Sequence, residues 1–251
     1  MNDIVAKTKL IAIRKALFMP DQAGNMVDNS IILKTLDWAY DTALDNNGVF
    51  ATATDLAEEY LKKYDDKEKA LKALIRWQMT KTAVSGAITG FGGIITFPIT
   101  IPANLASVLF VQLRMIAAIA YIGDHDIKSD QVRTLAYSCL LGDSAKEALK
   151  YTGIVVGKKI TKNAISKISG KTLTKINKKV GFRLLTKFGE KGVVNLGKGV
   201  PIIGAVIGAF ADAAYTKAIA TVSVNMFISD SSDSGNEKKW FEEKYDDPFS
   251  F

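Results

Sequence analysis

The residues of this chain that could do chemistry are polar groups set inside its most apolar stretches. On a helix from Ala103 to Ile122, Asn104, Ser107, Arg114 and Tyr121 fall within about a third of the circumference at roughly 100° per residue, with Val111 and Ala118 on the same stripe. On a helix opening at Pro201, a second narrow stripe holds Gly204, Gly208, Asp212 and Tyr215. Glycines four apart let another helix approach closely, and Gly86 with Gly90 offers the same opportunity. An isolated ion in such surroundings costs several kcal/mol, so Arg114 and Asp212 each need a partner. Two readings follow. The first is a buried pair that fixes helix register. The second is a polar pocket in which Arg114 holds an anionic head group, which would allow a lipid hydrolase with Asp212 or His125 as base.

Other chemistries find less support. The run "GDHD" gathers Asp124, His125 and Asp126, but His125 is the single histidine, and a hydrolytic metal site usually takes more than one. An Asx-rich loop cap explains that run. No G-x-S-x-G elbow occurs to serve a Ser-His-Asp set. The segment "ISGKTL" supplies Gly170, Lys171 and Thr172, yet Ile165 stands where a phosphate loop needs its first glycine. "GFGG" lacks both a preceding strand and dinucleotide spacing. Cys139 lies in the apolar run "YSCLLG" and reads as a buried structural thiol. No catalytic residue, metal or cofactor is therefore expected.

Charge is the other feature with consequences. The chain carries a formal +7, but the stretch from Lys146 to Lys198 alone sums to +12 and the rest to −5. In "GKKITKNAISKISGKTLTKINKKVGFRLLTKFGEKG" lysines alternate with aliphatic residues, and Ile160, Ala164, Ile165 and Ile168 recur at helical spacing. This is either a solvated pair of amphipathic helices or a surface for anionic lipid, with Lys158, Lys159, Lys162, Lys175, Lys178 and Lys179 as the attracting charges. Nucleic acid is disfavoured, since only Tyr151, Phe182 and Phe188 are available for stacking and no recognised binding motif is present.

The elements that must position these residues read as helices. Hydrophobic residues make up 48% and charged residues 24%, an ordinary globular balance. "DNSIILKTLDWAYDTALDN" suggests a helix capped at Asn29 or Ser30 and closing at "NNG", and "TATDLAEEYLKKYDD" one capped at Thr52 or Thr54. A third helix begins near Asp66, amphipathic first and apolar later. Gly90, Gly92, Gly93, Pro98 and Pro102 then break "GFGGIITFPITIP" into a bend, so residues 82–122 form a helical hairpin whose second arm starts near Pro102. "DIKSDQVRTLAYSCLLGDSAKEALKYTG" adds one or two more helices. Only "YTGIVVG" is β-branched enough to suggest a strand. The last twenty or so residues are acidic and polar, a tail or short docking segment. No stretch has the Leu/Ile/Phe density of a confident membrane span, no secretory signal opens the chain, and the one cysteine fits a reducing compartment.

The segments "GFGGIITFPITIPANLASVLFVQLRMIAAIAYIGDHD" and "KINKKVGFRLLTKFGEKGVVNLGKGVPIIGAVIGAFADAAYTKAIA", in that order and separation, resemble the EcsC family over roughly Ala70 to Ile228. The resemblance implies a bacterial protein of a family named from an operon that also encodes an ABC transporter. It implies no catalytic residues, because the family carries none that are established.

The expectation is an all-α, single-domain bundle. An N-terminal helical segment spans 1–65, the EcsC-like core 66–228 and an acidic tail 229–251. The 82–122 hairpin and the 200–222 helix would form its apolar centre. Functionally, the expectation is reversible docking on the cytoplasmic face of a membrane, with anionic lipid and a transporter or secretion protein as partners. Stable insertion of the hairpins is the integral alternative.

Overall fold

The computed structural model describes residues 25–45, 51–84, 103–152, 154, 160–196 and 213–228. These residues form helices α1 (Asn25–Leu44), α2 (Ala53–Lys63), α3 (Lys67–Val84), α4 (Ala103–Ile122), α5 (Asp130–Cys139), α6 (Ala145–Leu149), α7 (Lys162–Ser166), α8 (Gly170–Leu196) and α9 (Ala213–Phe227). Among the described residues there is no strand, and the fold is all-α as the patterning required. Tyr151 and Thr152 of "YTGIVVG" belong to a 3₁₀ turn, Lys150–Thr152.

The most apolar helix lies at the centre. Every residue from Gln112 to Ala120 of α4 is buried, and α4 packs against α1, α2, α3, α5 and α9. A helix apolar on all sides can sit only where neighbours cover it on all sides. The expected hairpin thus contributes its second arm as the core helix, while its bend, with Gly86, Gly90, Pro98 and Pro102, lies outside the described residues. The other expected central element is represented by α9, which packs on α4, α3 and α5. Gly204, Gly208 and Asp212 lie outside the described residues.

Local chemistry sets the helix boundaries. Thr52, not Thr54, caps α2: its hydroxyl accepts the Asp55 amide at 3.0 Å and the Asp55 carboxylate accepts the Thr52 amide at 2.9 Å. This reciprocal pair satisfies two donors that the first helical turn leaves open. Ser129 caps α5 through its hydroxyl. The expected start of α1 needs correction: the helix runs back to Asn25, so Asn29 and Ser30 lie within it. A cap preference is worth only about 1 kcal/mol, and the apolar residues on both sides of these positions allow the helix to extend past them. "SCLLGDSAKEAL" holds two helices because Gly142, at φ +55°, turns the chain into a 3₁₀ step between them.

The basic segment forms a helix pair, α7 and α8. Leu173, Ile176, Val180 and Leu184 bury one stripe of α8, which packs on α1 and α5. Ile165 anchors α7, while Ala164, expected on the apolar face, is exposed.

Candidate functional site

Arg114 lies on the side of α4 that faces the start of α2. It is only 8% exposed, and its Nη1 donates to the carbonyl of Ala51 at 3.1 Å. The guanidinium carbon lies 5.5 Å from the Phe110 ring centroid, within cation–π range. Its Nε has no hydrogen-bond partner among the described residues, and burial depresses the Arg114 pKa below the ordinary arginine value. Arginine stays protonated even so, which places a desolvated positive charge beside the start of α2. Among the described residues no carboxylate lies within ion-pair distance of it. Asp212, its expected partner, lies outside the described residues.

Two turns further along the same stripe, Tyr121 donates its hydroxyl to Glu58 of α2 at 3.2 Å. Arg114 and Tyr121 therefore share a face, as their spacing required; Tyr121 reaches α2 and Arg114 the residue just before its cap. Asn104 and Ser107 lie in the first two turns of α4, with side chains outside the described part.

His125 is buried at the turn leaving α4. Its Nε2 lies 2.8 Å from the carbonyl of Phe227, the last residue of α9, and since a carbonyl only accepts, Nε2 carries the proton. Burial pulls the His125 pKa below the ordinary value, which favours the neutral ring. Asp124 holds a left-handed backbone at φ +57° and pairs with Lys67 at 3.0 Å, with Lys162 at 3.9 Å. Asp126 accepts the Lys128 amide at 3.0 Å, as an Asx-type loop cap does. No group of three or more metal-ligating side chains converges among the described residues. Cys139 is fully buried, and burial pushes its thiol up to about 12.

Sequence reasoning missed one polar cluster. Arg133 and Tyr137 of α5 face Asp37 and Asp41 of α1. Arg133 Nη2 meets Asp41 Oδ1 at 2.5 Å, and the Tyr137 hydroxyl donates to Asp37 Oδ1 at 2.6 Å. The Arg133 guanidinium also covers the Tyr40 ring at 5.3 Å, and the Tyr40 hydroxyl donates to the Ile127 carbonyl at 2.9 Å. A signal existed: both pairs are spaced four apart, so each presents two matching groups from one helix face. Gln112, which donates to Thr216 of α9 at 2.9 Å, was a second missed tie, visible only as a lone amide in an apolar run.

The basic face of α8 is the surface with an evident polarity. Lys171, Lys175 and Lys178 are exposed, and so is Phe182, at 54%. At about 100° per residue these four fall within about 60° of one another, opposite the buried stripe of Leu173, Ile176, Val180 and Leu184. Lys162 of α7 is exposed as well, while Lys179 is partly buried on the flank of α8. Arg183 turns inward and pairs with Glu147 of α6 at 3.0 Å. Lys158 and Lys159 lie outside the described residues. Among the described residues, no helix is long and apolar enough to cross a membrane.

No curated protein and no solved structure matches the chain. The model of the EcsC protein family matches residues 18–228, which takes in α1 to α9 of the described residues. With the motifs on α4, α8 and α9 falling inside that match, the chain belongs to the EcsC protein family.

Proposed function

We propose that this protein docks reversibly on an anionic membrane surface through the outward face of α8, as an accessory to a membrane transport or secretion system. The carrying observation is the stripe of Lys171, Lys175, Lys178 and Phe182, three cations and an exposed aromatic ring on one side of a helix whose other side is core. An interfacial helix uses cations and an exposed aromatic ring on one face, and this face of α8 has both, with Phe182 54% exposed in line with the lysines. The lysines attract anionic lipid and the ring inserts at the head-group boundary. Lys162, and the neighbouring Lys158 and Lys159, would add to the same field. The accessory role rests on the family's association with a transporter operon, and the cytoplasmic leaflet on its enrichment in anionic lipid.

Each lysine near an anionic surface contributes about 1 kcal/mol. Replacing Lys171, Lys175 and Lys178 with Glu removes about 3 kcal/mol of attraction, so vesicle affinity should fall at least ~100-fold. Phe182→Ala should weaken binding while leaving its salt dependence in place. The helical content of both variants should stay unchanged, because these side chains are exposed. Unchanged vesicle affinity in the triple variant would refute the reading.

A further inference from the structure

We infer that the Arg114 guanidinium and the first turn of α2 together form a binding site for an oxyanion of the phosphate class. The inference is independent of the docking face on α8. Arg114 is 8% exposed, yet among the described residues its hydrogen bond goes to a neutral acceptor, the Ala51 carbonyl at 3.1 Å, and Nε has none. Ala51 immediately precedes Thr52, the cap of an 11-residue helix. The buried cation therefore sits beside the positive end of α2, where dipole and charge have the same sign and reinforce each other. Such a potential is balanced by an anion, and among the described residues no carboxylate lies within ion-pair distance of the guanidinium.

The Asp55 carboxylate is turned back onto the Thr52 amide at 2.9 Å. That contact holds the Asp55 pKa below the usual carboxylate range and offsets part of the helix charge, but the acid does not reach the guanidinium.

The donors suit an oxyanion. With Nη1 committed to Ala51, the Nε edge of the guanidinium remains for a two-point contact, the fork that matches phosphate and carboxylate oxygens. The Thr52 cap takes up the Asp55 amide, which leaves the Ala53 and Thr54 amides as first-turn donors that no carbonyl within the helix can satisfy. Ala51 itself is exposed, so the chain entering α2 borders solvent, with the Arg114 Nε covered beneath it. A free phosphate and the phosphate of a lipid head group share this chemistry.

The test is thermal unfolding of the whole chain in rising potassium phosphate, against potassium chloride at matched ionic strength. The midpoint of the wild type should climb with phosphate and not with chloride, as binding to the folded state alone requires. Arg114→Gln should lose that climb, while the triple Lys171, Lys175 and Lys178 to Glu variant should keep it. Should Arg114→Gln fail to fold, the ³¹P line width of inorganic phosphate with wild type and with Arg114→Lys gives the same answer. Lysine keeps the charge and loses the fork, so broadening should weaken. A monomeric short-chain phosphatidic acid that raises the midpoint further than phosphate assigns the site to a head group, and an equal rise assigns it to the free anion. A wild type indifferent to phosphate would overturn the inference, as would a response that survives in Arg114→Gln. Asp212→Asn gaining a phosphate response that the wild type lacks would also overturn it, by showing the counter-charge to be internal.

Discussion

Gly123→Ala should be a damaging single-methyl change, more so than the same change at Gly170, where a Cβ would meet nothing. Gly123 ends α4, its amide bonded to the Ile119 carbonyl at 3.1 Å, and a Cβ added there would stand 2.2 Å from the Phe227 carbonyl oxygen and 3.1 Å from His125 Cδ2. The opposing atom is backbone at the last residue of α9, so no rotamer change relieves the overlap. Restoring an ordinary contact means drawing α9 back by roughly 1 Å. Taken along the bond, that movement carries the 2.8 Å contact between His125 Nε2 and Phe227 O past hydrogen-bond range, so α9 can yield only by weakening it. Overpacking costs about 1–3 kcal/mol and the weakened buried hydrogen bond about 1 kcal/mol more, giving about 2–4 kcal/mol. In a chain of this size that lowers the thermal midpoint by about 5–15 °C. Far-UV circular dichroism on heating measures it, with urea unfolding as the second probe. Because the two effects share one contact, Gly123→Ala combined with His125→Gln should cost less than the sum of the single changes. A midpoint within about 1 °C of the wild type would refute the packing of α4 against the end of α9.

Two further outcomes follow from buried titratable groups. The folded-state pKa of His125 is depressed by burial, so the unfolded chain takes up a proton that the folded chain refuses. Stability should therefore be fully present above about pH 6.5 and fall as pH drops from there through the lower folded value. In urea titrations between about pH 5 and 7, His125→Gln should flatten that slope, and an unchanged slope would refute the assignment. Cys139, fully buried with its thiol pushed up to about 12, should resist a thiol reagent at mild alkaline pH in the native protein and react with one equivalent once denatured. Prompt native labelling would contradict its placement against Met226.

The sequence was most legible where one residue type serves one physical purpose. Alternating lysines and aliphatics in 160–184 announced a helix with a core stripe and a wet stripe, and the structure has both. The uncharged run after Pro102 announced a buried helix, and α4 is buried without a break from Gln112 to Ala120. What could not be read were the pairings. Nothing in the spacing of Arg114 says that it will reach the Ala51 carbonyl, 63 residues away in the chain. The facing of Asp37 and Asp41 against Arg133 and Tyr137 likewise depends on how α1 and α5 dock, which local periodicity does not encode. Helix starts failed where a cap residue stood next to further helix-compatible sequence, as at Asn29 and Ser30.

The measurement that bears most directly on function is flotation of the purified, detergent-free 251-residue chain with anionic and with neutral vesicles, at low and at high salt. If α8 is a docking face, the protein should float with anionic vesicles at low salt and be released at high salt, because exposed charges more than a Debye length apart are screened. Flotation that resists salt would point to apolar insertion rather than a charged face. No flotation under any condition would contradict membrane docking outright and leave Lys171, Lys175, Lys178 and Phe182 as a surface for something other than lipid.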